Sequence, residues 1–206
     1  SDDHGLVLLP KLAPTQVVIV PIYKGEEQLA QISEVADELV KDLRAAGVSV
    51  KFDNNDNQKP GWKFAQYELQ GVPLRIAIGP KDLEKGTVEL ARRDTLSKEF
   101  MNRDEVVGKI PALLNEIQET LHTKAKNFRD THITEVETFD EFKKQLKDKG
   151  GFISAHWDGS PETENKIKEL TKATIRCIPF DRKVEAGNCV LTGNPSEGRV
   201  LFAKAY

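Results

Sequence analysis

Glu68, Arg75 and Lys81 are the side chains whose types could recognise a flat polar ligand. A carboxylate accepts hydrogen bonds, whereas a guanidinium and an ammonium donate them. All three fall between Lys59 and Lys98, a stretch that combines a Pro60-Gly61 turn, a short helix, a strand and a lysine-bearing loop. Brought together they form a polar constellation; kept apart they are a solvated charge run, and the residues themselves leave both readings open. The stretch carries eight basic and five acidic residues, so the rest of a chain of net charge -3 carries -6. It is an electropositive island in an acidic molecule, or a surface strand region that simply carries lysine.

The elements that must position these groups are legible in the periodicity. Val72 to Gly79 alternates, placing Val72, Leu74, Ile76 and Ile78 on one strand face and Pro73, Arg75, Ala77 and Gly79 on the other. The second face carries one long cation among residues too small to cover it, so something else is expected to lie against it. Glu68 sits one turn after Phe64 on the preceding helix, so a carboxylate and an aromatic share an edge. Lys81 follows in the loop at the far end of the strand.

Upstream, the near-continuous apolar run within Gln16 to Tyr23 predicts a central strand covered on both faces. Leu29, Ile32, Ala36, Leu39 and Leu43 predict a helix over about 26–46, stopped by Gly47, and Val48, Val50 and Phe52 a second strand before a polar loop. The order β-α-β-α-β implies parallel strands with right-handed crossovers. A hairpin of Thr87–Arg92 and Lys98–Asn102 and a helix striped by Leu114, Ile117, Leu121, Ala125 and Phe128 complete the unit, with Pro111 expected in the first helical turn. The fold class is α/β: a five-stranded mixed sheet with three helices over about 14–118.

The remainder predicts a smaller α+β domain. Thr138 to Glu141 is a capping box opening a helix that stops at Gly150-Gly151, and Ser160-Pro161 opens another. Strands are expected at Phe152–Trp157, Thr174–Phe180 and Arg199–Ala205, over a core of Phe152, Ile153, Ile167, Leu170, Ile175, Ile178, Val190, Val200 and Phe202.

Several chemistries lack support. Neither a Gly-x-Gly-x-x-Gly turn nor a Gly-x-x-x-x-Gly-Lys-Ser/Thr loop occurs. His4, His122, His132 and His156 are scattered, none beside a nucleophile, and Cys177 reads as a buried, inert thiol. Two cysteines are too few for a disulfide framework. No apolar run approaches the roughly 18 residues of a membrane span, and the Ser1-Asp2-Asp3 start is not a signal peptide, so a cytoplasmic protein is expected. A start at Ser-Asp-Asp-His-Gly without Met reads as a piece of something larger.

Several segments together resemble prolyl-tRNA synthetases of the archaeal and eukaryote-like type. They are Asp2-Asp3-His4-Gly5-Leu6-Val7-Leu8-Leu9-Pro10, the run from Leu12 to Ile22, Pro60-Gly61-Trp62-Lys63-Phe64, Glu68 to Arg75, Gly79-Pro80-Lys81-Asp82-Leu83, Arg176-Cys177-Ile178-Pro179-Phe180 and the closing Val200 to Tyr206. The resemblance implies that 1–13 is the tail of a catalytic domain lying outside this chain, with Leu9 where proline is usual. It further implies an anticodon-binding domain at 14–118, a bridging helix and linker at 119–137 and a C-terminal domain at 138–206. ATP, Mg²⁺ and proline would bind the catalytic domain, the parent would be a homodimer, and this chain alone would not aminoacylate. The partner implied is the anticodon loop of tRNA(Pro).

By the same resemblance Glu68, Arg75, Lys81 and Lys98 read two anticodon guanines. Phe52, Trp62 and Phe64 are either stacking partners or core residues, and Lys59 and Lys63 are backbone contacts. Zinc-binding relatives carry Cys-x4-Cys and Cys-x2-Cys at the positions of Asp158, Thr163, Cys189 and Thr192, so only one thiolate is left and no zinc is expected. The Tyr206 carboxylate is expected to pack toward the catalytic domain. The rival reading is a free-standing α/β module that binds a small anion.

Overall fold

A computed structural model describes residues 1–205, and they divide into two compact units, 1–124 and 125 onward. The expectation for Tyr206 lies outside the described residues. In the first unit the chain forms β1 (Val17–Pro21), α1 (Glu26–Ala45), β2 (Val50–Phe52), α2 (Pro60–Leu69), β3 (Leu74–Ile78), α3 (Pro80–Lys85), β4 (Thr87–Arg92), β5 (Lys98–Asn102) and α4 (Arg103–Thr131), the last running past the unit boundary.

The sheet order is β2-β1-β3-β4-β5, with β1 parallel to both β2 and β3, and β4 antiparallel to β3 and β5. The crossover through α1 runs from β1 out to β2, and that through α2 returns across β1 to β3. Right-handed crossovers in opposite directions put the two helices on opposite faces. The packing agrees. Val17, Ile19, Leu74, Ile76, Ile78, Val88 and Leu90 form the main core with α1 and α4, while Val18, Val20 and Val72 pack with Tyr67 and Phe64 of α2.

Four expectations change here. Val72 precedes β3 and joins the α2-side core rather than the face of Leu74, Ile76 and Ile78. The loop expected to carry Lys81 is a short helix, making four helices in this part of the chain; the Asp82 carboxylate accepts from the Gly79 N–H at its start, and Gly86 ends it in the left-handed conformation (φ 64°). Pro111 lies inside α4, not in its first turn. The apolar stripe begins upstream at Val106 and Ile110, and burying two such side chains, about 1.5–3 kcal/mol each, offsets the roughly 3 kcal/mol cost of an interior proline. Ala125 and Phe128, placed in the stripe by spacing, are exposed.

The second unit contains β6 (Ile133–Glu135), α5 (Phe139–Asp148), β7 (Phe152–His156), α6 (Pro161–Thr171), β8 (Ala173–Cys177), the short strands β9 (Gly187–Asn188) and β10 (Pro195–Ser196), and β11 (Arg199–Lys204). The main sheet runs β6-β7-β11-β8, with β6 added parallel to β7 from what reads as linker. Its core is built on Phe142, Ile153, Ile167, Val200 and Phe202, with Phe142 and Phe202 edge to face at 5.2 Å. Thr138 accepts from the Glu141 N–H and the Glu141 carboxylate returns to Thr138 N–H, the expected capping box. Two expected core residues, Leu170 and Ile178, are exposed, and so is Cys177; the thiol that is buried is Cys189. A bulge shifts the β8–β11 register between Leu201 and Phe202, and β8 ends at Cys177 instead of continuing to Phe180.

Candidate nucleic-acid interface

Strand register places the side chains of the first unit in rows. Val18 lies opposite Arg75, Arg75 opposite Ala91, and Ala91 opposite Lys98, so all four project from the same sheet face. The next row on that face is Val20, Ala77, Glu89 and Phe100. Phe64 and Tyr67 of α2 cover the valines of β1, while on β5 Lys98 and Phe100 stay exposed. The face is thus roofed over its parallel half and bare over its antiparallel edge.

Arg75 stands where the roof ends. Its face is covered, as the small residues around it led one to expect: only 5% of the residue is exposed, and its guanidinium lies 3.6 Å from the centroid of the Phe64 ring. One terminal nitrogen, Nη2, donates to Glu89 Oε1 at 3.1 Å. Nε and Nη1 are buried without any acceptor. A buried donor left unpaired costs about 1–3 kcal/mol, and Arg75 lines a narrow cleft together with Phe64, Glu68, Val72, Ala91 and Arg93 among others. Glu68 enters the cleft from the last turn of α2, and no ion pair within the described residues engages its carboxylate. The sequence-derived pair Glu68 and Arg75 therefore does come together.

The turn that carries Glu68 is fixed from behind by a residue the sequence reading missed. Arg93 Nε donates to the Glu68 carbonyl at 2.9 Å, and its two terminal nitrogens grip the Asp2 carboxylate. The Arg93 hydrogen bonds hold the Asp2 carboxyl well below the usual carboxylate range. Leu6 N–H to Leu69 carbonyl and Leu8 N–H to Gly71 carbonyl lay the N-terminal segment along the end of α2. Gly5 and Gly71 have positive φ, and a Cβ on either would meet backbone at 2.5 and 2.7 Å respectively, so this approach needs glycine at both. Asp2 and Arg93 are 91 residues apart, and no local pattern announces the pair.

The remaining candidates separate. Lys98 shares the row of Arg75 two strands away, and Lys81 is exposed in the first turn of α3; neither lines the cleft. Lys59 is exposed at the N-cap of α2. Trp62, 52% exposed, borders a different groove with Lys51, Gln66 and Tyr67. Phe52 packs against the main core. Lys63 is corrected outright: it is 3% exposed, its ammonium donates to the Asp53 and Asn55 carbonyls, and it pairs with Asp53 Oδ1 at 3.1 Å. Burial would raise the Asp53 carboxyl, but Lys63 and Tyr67 outweigh it and the net shift is downward. Lys63 therefore ties down the loop and is not free to contact a ligand.

In the second unit the residues at the family's zinc positions do not fit the metal. Asp158 Oδ1 accepts from Ser160 N–H and Oγ, and Oδ2 accepts from Thr163 Oγ1 at 2.9 Å, Thr192 Oγ1 at 2.8 Å and Asn194 Nδ2 at 3.3 Å. Desolvation opposes ionisation of this carboxyl, yet the Thr192, Ser160 and Thr163 bonds prevail and its pKa falls to about 2. Its lone pairs are committed, and two of the other three positions hold hydroxyls rather than thiolates. Among the described residues no group of three or more His, Cys, Asp or Glu is placed to hold a metal. Nearby, His156 Nδ1 lies 3.1 Å from Ser196 Oγ and its Nε2 3.6 Å from Glu185, but Ser196 is buried and donates to the Gly198 carbonyl. That hydroxyl is committed to the backbone and is not a nucleophile.

Comparison with known proteins finds matches in both units. Residues 16–113 match the family described as "Anticodon binding domain", and residues 139–206 the family described as "Prolyl-tRNA synthetase, C-terminal". The chain is 82% identical to a proline–tRNA ligase of Christiangramia forsetii and 64% identical to one of Flavobacterium psychrophilum, in each case over all of this chain and 42% of the relative. A crystal structure of prolyl-tRNA synthetase from Cryptosporidium parvum, complexed with L-proline and AMP, superposes with a TM-score of 0.90 at 36% identity, covering all of this chain and 44% of that one. The chain thus spans under half the length of these relatives. Among the described residues no helix is long and apolar enough to cross a membrane. Residues 16–113 are thus an anticodon-binding domain, and residues 139–206 a domain of the kind that stands at the C-terminus of prolyl-tRNA synthetases.

Proposed function

We propose that the first unit binds the anticodon loop of tRNA(Pro) and reads its two guanines. The observation that carries this is the cleft itself: two buried Arg75 nitrogens without acceptors beside a Glu68 carboxylate without an ion-pair partner. The Watson–Crick edge of guanine offers N1–H and N2–H donors next to the O6 acceptor. A carboxylate accepts the first two, and a guanidinium donates to O6 or N7. Loop bases can be splayed out to present that edge. Because Arg75 Nε and Nη1 are closed off from solvent, a base reaches them only as the cleft walls part, and binding then supplies the missing acceptors. Lys98 and Lys81 add positive charge for phosphates or the second guanine. A small anion fits the site less well, since the Glu68 carboxylate lines it and the Glu89 carboxylate already pairs with Arg75.

In the whole protein the activity proposed is ATP-dependent ligation of proline to tRNA(Pro) by a cytoplasmic homodimer. ATP, Mg²⁺ and proline are assigned to a catalytic domain, and these two units alone are expected to be inactive in aminoacylation. The archaeal and eukaryote-like subtype is supported by the shared motifs and by the full-length likeness of this chain to the Cryptosporidium parvum structure. The second unit is proposed to fold without zinc, on its apolar core and the Asp158 network. The test is filter retention of a tRNA(Pro) transcript against one with both anticodon guanines replaced. Strong preference for the natural transcript is expected, and equal retention contradicts the reading.

A further inference from the structure

We propose that Phe100 is a stacking platform for a nucleobase adjacent to the guanine read at Glu68 and Arg75. The inference rests on the anticodon-binding reading and adds a contact that none of the matches assigns. Phe100 faces Glu89, which faces Ala77, so its ring rises from the same sheet face as Arg75, Ala91 and Lys98. It is 70% exposed, while its neighbour Met101, pointing to the other face, packs against the main core. β5 is therefore anchored on one side and presents an aromatic ring on the other.

Three features of the surroundings point to a base. First, the side chains between Phe100 and the roofed half of the sheet are small or neutralised: Ala77 and Ala91 raise nothing above the sheet that competes with a base on the ring, and Glu89 is paired with Arg75. Second, Lys98 projects two residues along the same strand, about 7 Å away by strand geometry, where it can meet the phosphate of a base resting on the ring. Third, β5 lies two strands from β3, about 10 Å by strand spacing, so a nucleotide next to one held in the cleft reaches Phe100 without leaving the sheet. A bare aromatic on an edge strand is otherwise an aggregation hazard that sequences blunt. Lys98 and Glu99 flank it with charge on one side only.

Stacking tolerates any base, because every base has a π face. Phe100 is therefore expected to add affinity, while Glu68 and Arg75 supply discrimination. The experiment measures the Kd of this chain for the tRNA(Pro) transcript and for the transcript lacking both guanines, with wild type, Phe100→Ala, Phe100→Leu and Phe100→Trp, at two salt concentrations. Phe100→Ala and Phe100→Leu are expected to weaken both RNAs by about 5- to 100-fold with the ratio between them and the salt slope kept, and Phe100→Trp to restore binding. Thermal unfolding of each variant checks that the fold is intact. If wild type discriminates but Phe100→Leu binds both RNAs as tightly, stacking is overturned and the guanine reading stands. If wild type does not discriminate, the guanine reading falls and takes this inference with it. A concentration-dependent dimer of wild type that Phe100→Ala abolishes, with RNA binding unchanged, assigns the ring to a second copy of the chain and likewise overturns the proposal.

Discussion

The Arg75 cleft and the Asp158 network each place a charged group among polar neighbours, and they differ in whether that group is satisfied. Asp158 accepts five hydrogen bonds, which leave no position for a ligand. Arg75 makes one side-chain bond to Glu89 and leaves two nitrogens buried and unpaired. A saturated carboxylate holds turns together. An under-satisfied guanidinium stores a deficit that a ligand can remove, and so marks a site.

The largest effect that tests this contrast is expected at Asp158. Asp158→Ala strands the Thr163, Thr192 and Asn194 donors, and hydrogen bonds to a charged group contribute about 1.5–3 kcal/mol each without adding fully. Urea unfolding is expected to show the second unit destabilised by roughly 3 kcal/mol, with RNA binding unchanged. The pH dependence carries the same signature. Folding depresses this carboxyl from 3.8 to about 2, so its contribution is complete above the unfolded value and is lost as pH falls from about 4 towards 2. Asp158→Asn removes that dependence, and an unaltered acid-unfolding profile in the variant would show the network to be incidental.

Next in size is Arg75→Met, which keeps a long apolar stem against Phe64 while deleting the donors. Guanine discrimination is expected to fall by about 1–3 kcal/mol, the worth of a good bidentate base contact. Thermal stability is expected to change little, because replacing a buried, partly unpaired ion with an apolar side chain is often neutral. A large loss of stability with discrimination intact would make Arg75 structural, like Asp158. Lys63→Met separates the two classes again. It should cost about 1 kcal/mol of stability by freeing the Asp53 loop, and leave the Kd ratio for the two transcripts alone. The smallest effect belongs to Lys59→Ala, which should weaken binding to all RNAs alike and lower the salt slope by about 1.

What was legible in the sequence follows from which forces are local. Alternation located β4 and β5 at their observed ends, and the 3.6-residue stripe of α1 was visible because one face meets one core. The start of α4 was misplaced because a local rule about proline competes with burial of Val106 and Ile110, which only the tertiary structure reveals. α3 is too short to show a period. Glu68 and Arg75 were found by residue type and resemblance, whereas Lys63 looked identical in sequence to a free surface lysine and is buried. The Asp2–Arg93 clamp joins segments far apart in the chain and leaves no local trace. Phe100 did have a signal, as the outward partner of Met101 on an alternating edge strand, but its exposure depends on where α2 stops covering the sheet.

The most direct test is a double-mutant cycle between Arg75→Met and replacement of the anticodon guanines, read as the four Kd values for wild-type and variant protein with each transcript. If Arg75 reads guanine, the variant's preference for the natural transcript falls by about 1–3 kcal/mol, and the two changes together cost less than the sum of the two alone. Full additivity, with the variant still preferring the natural transcript as strongly as wild type does, would contradict it.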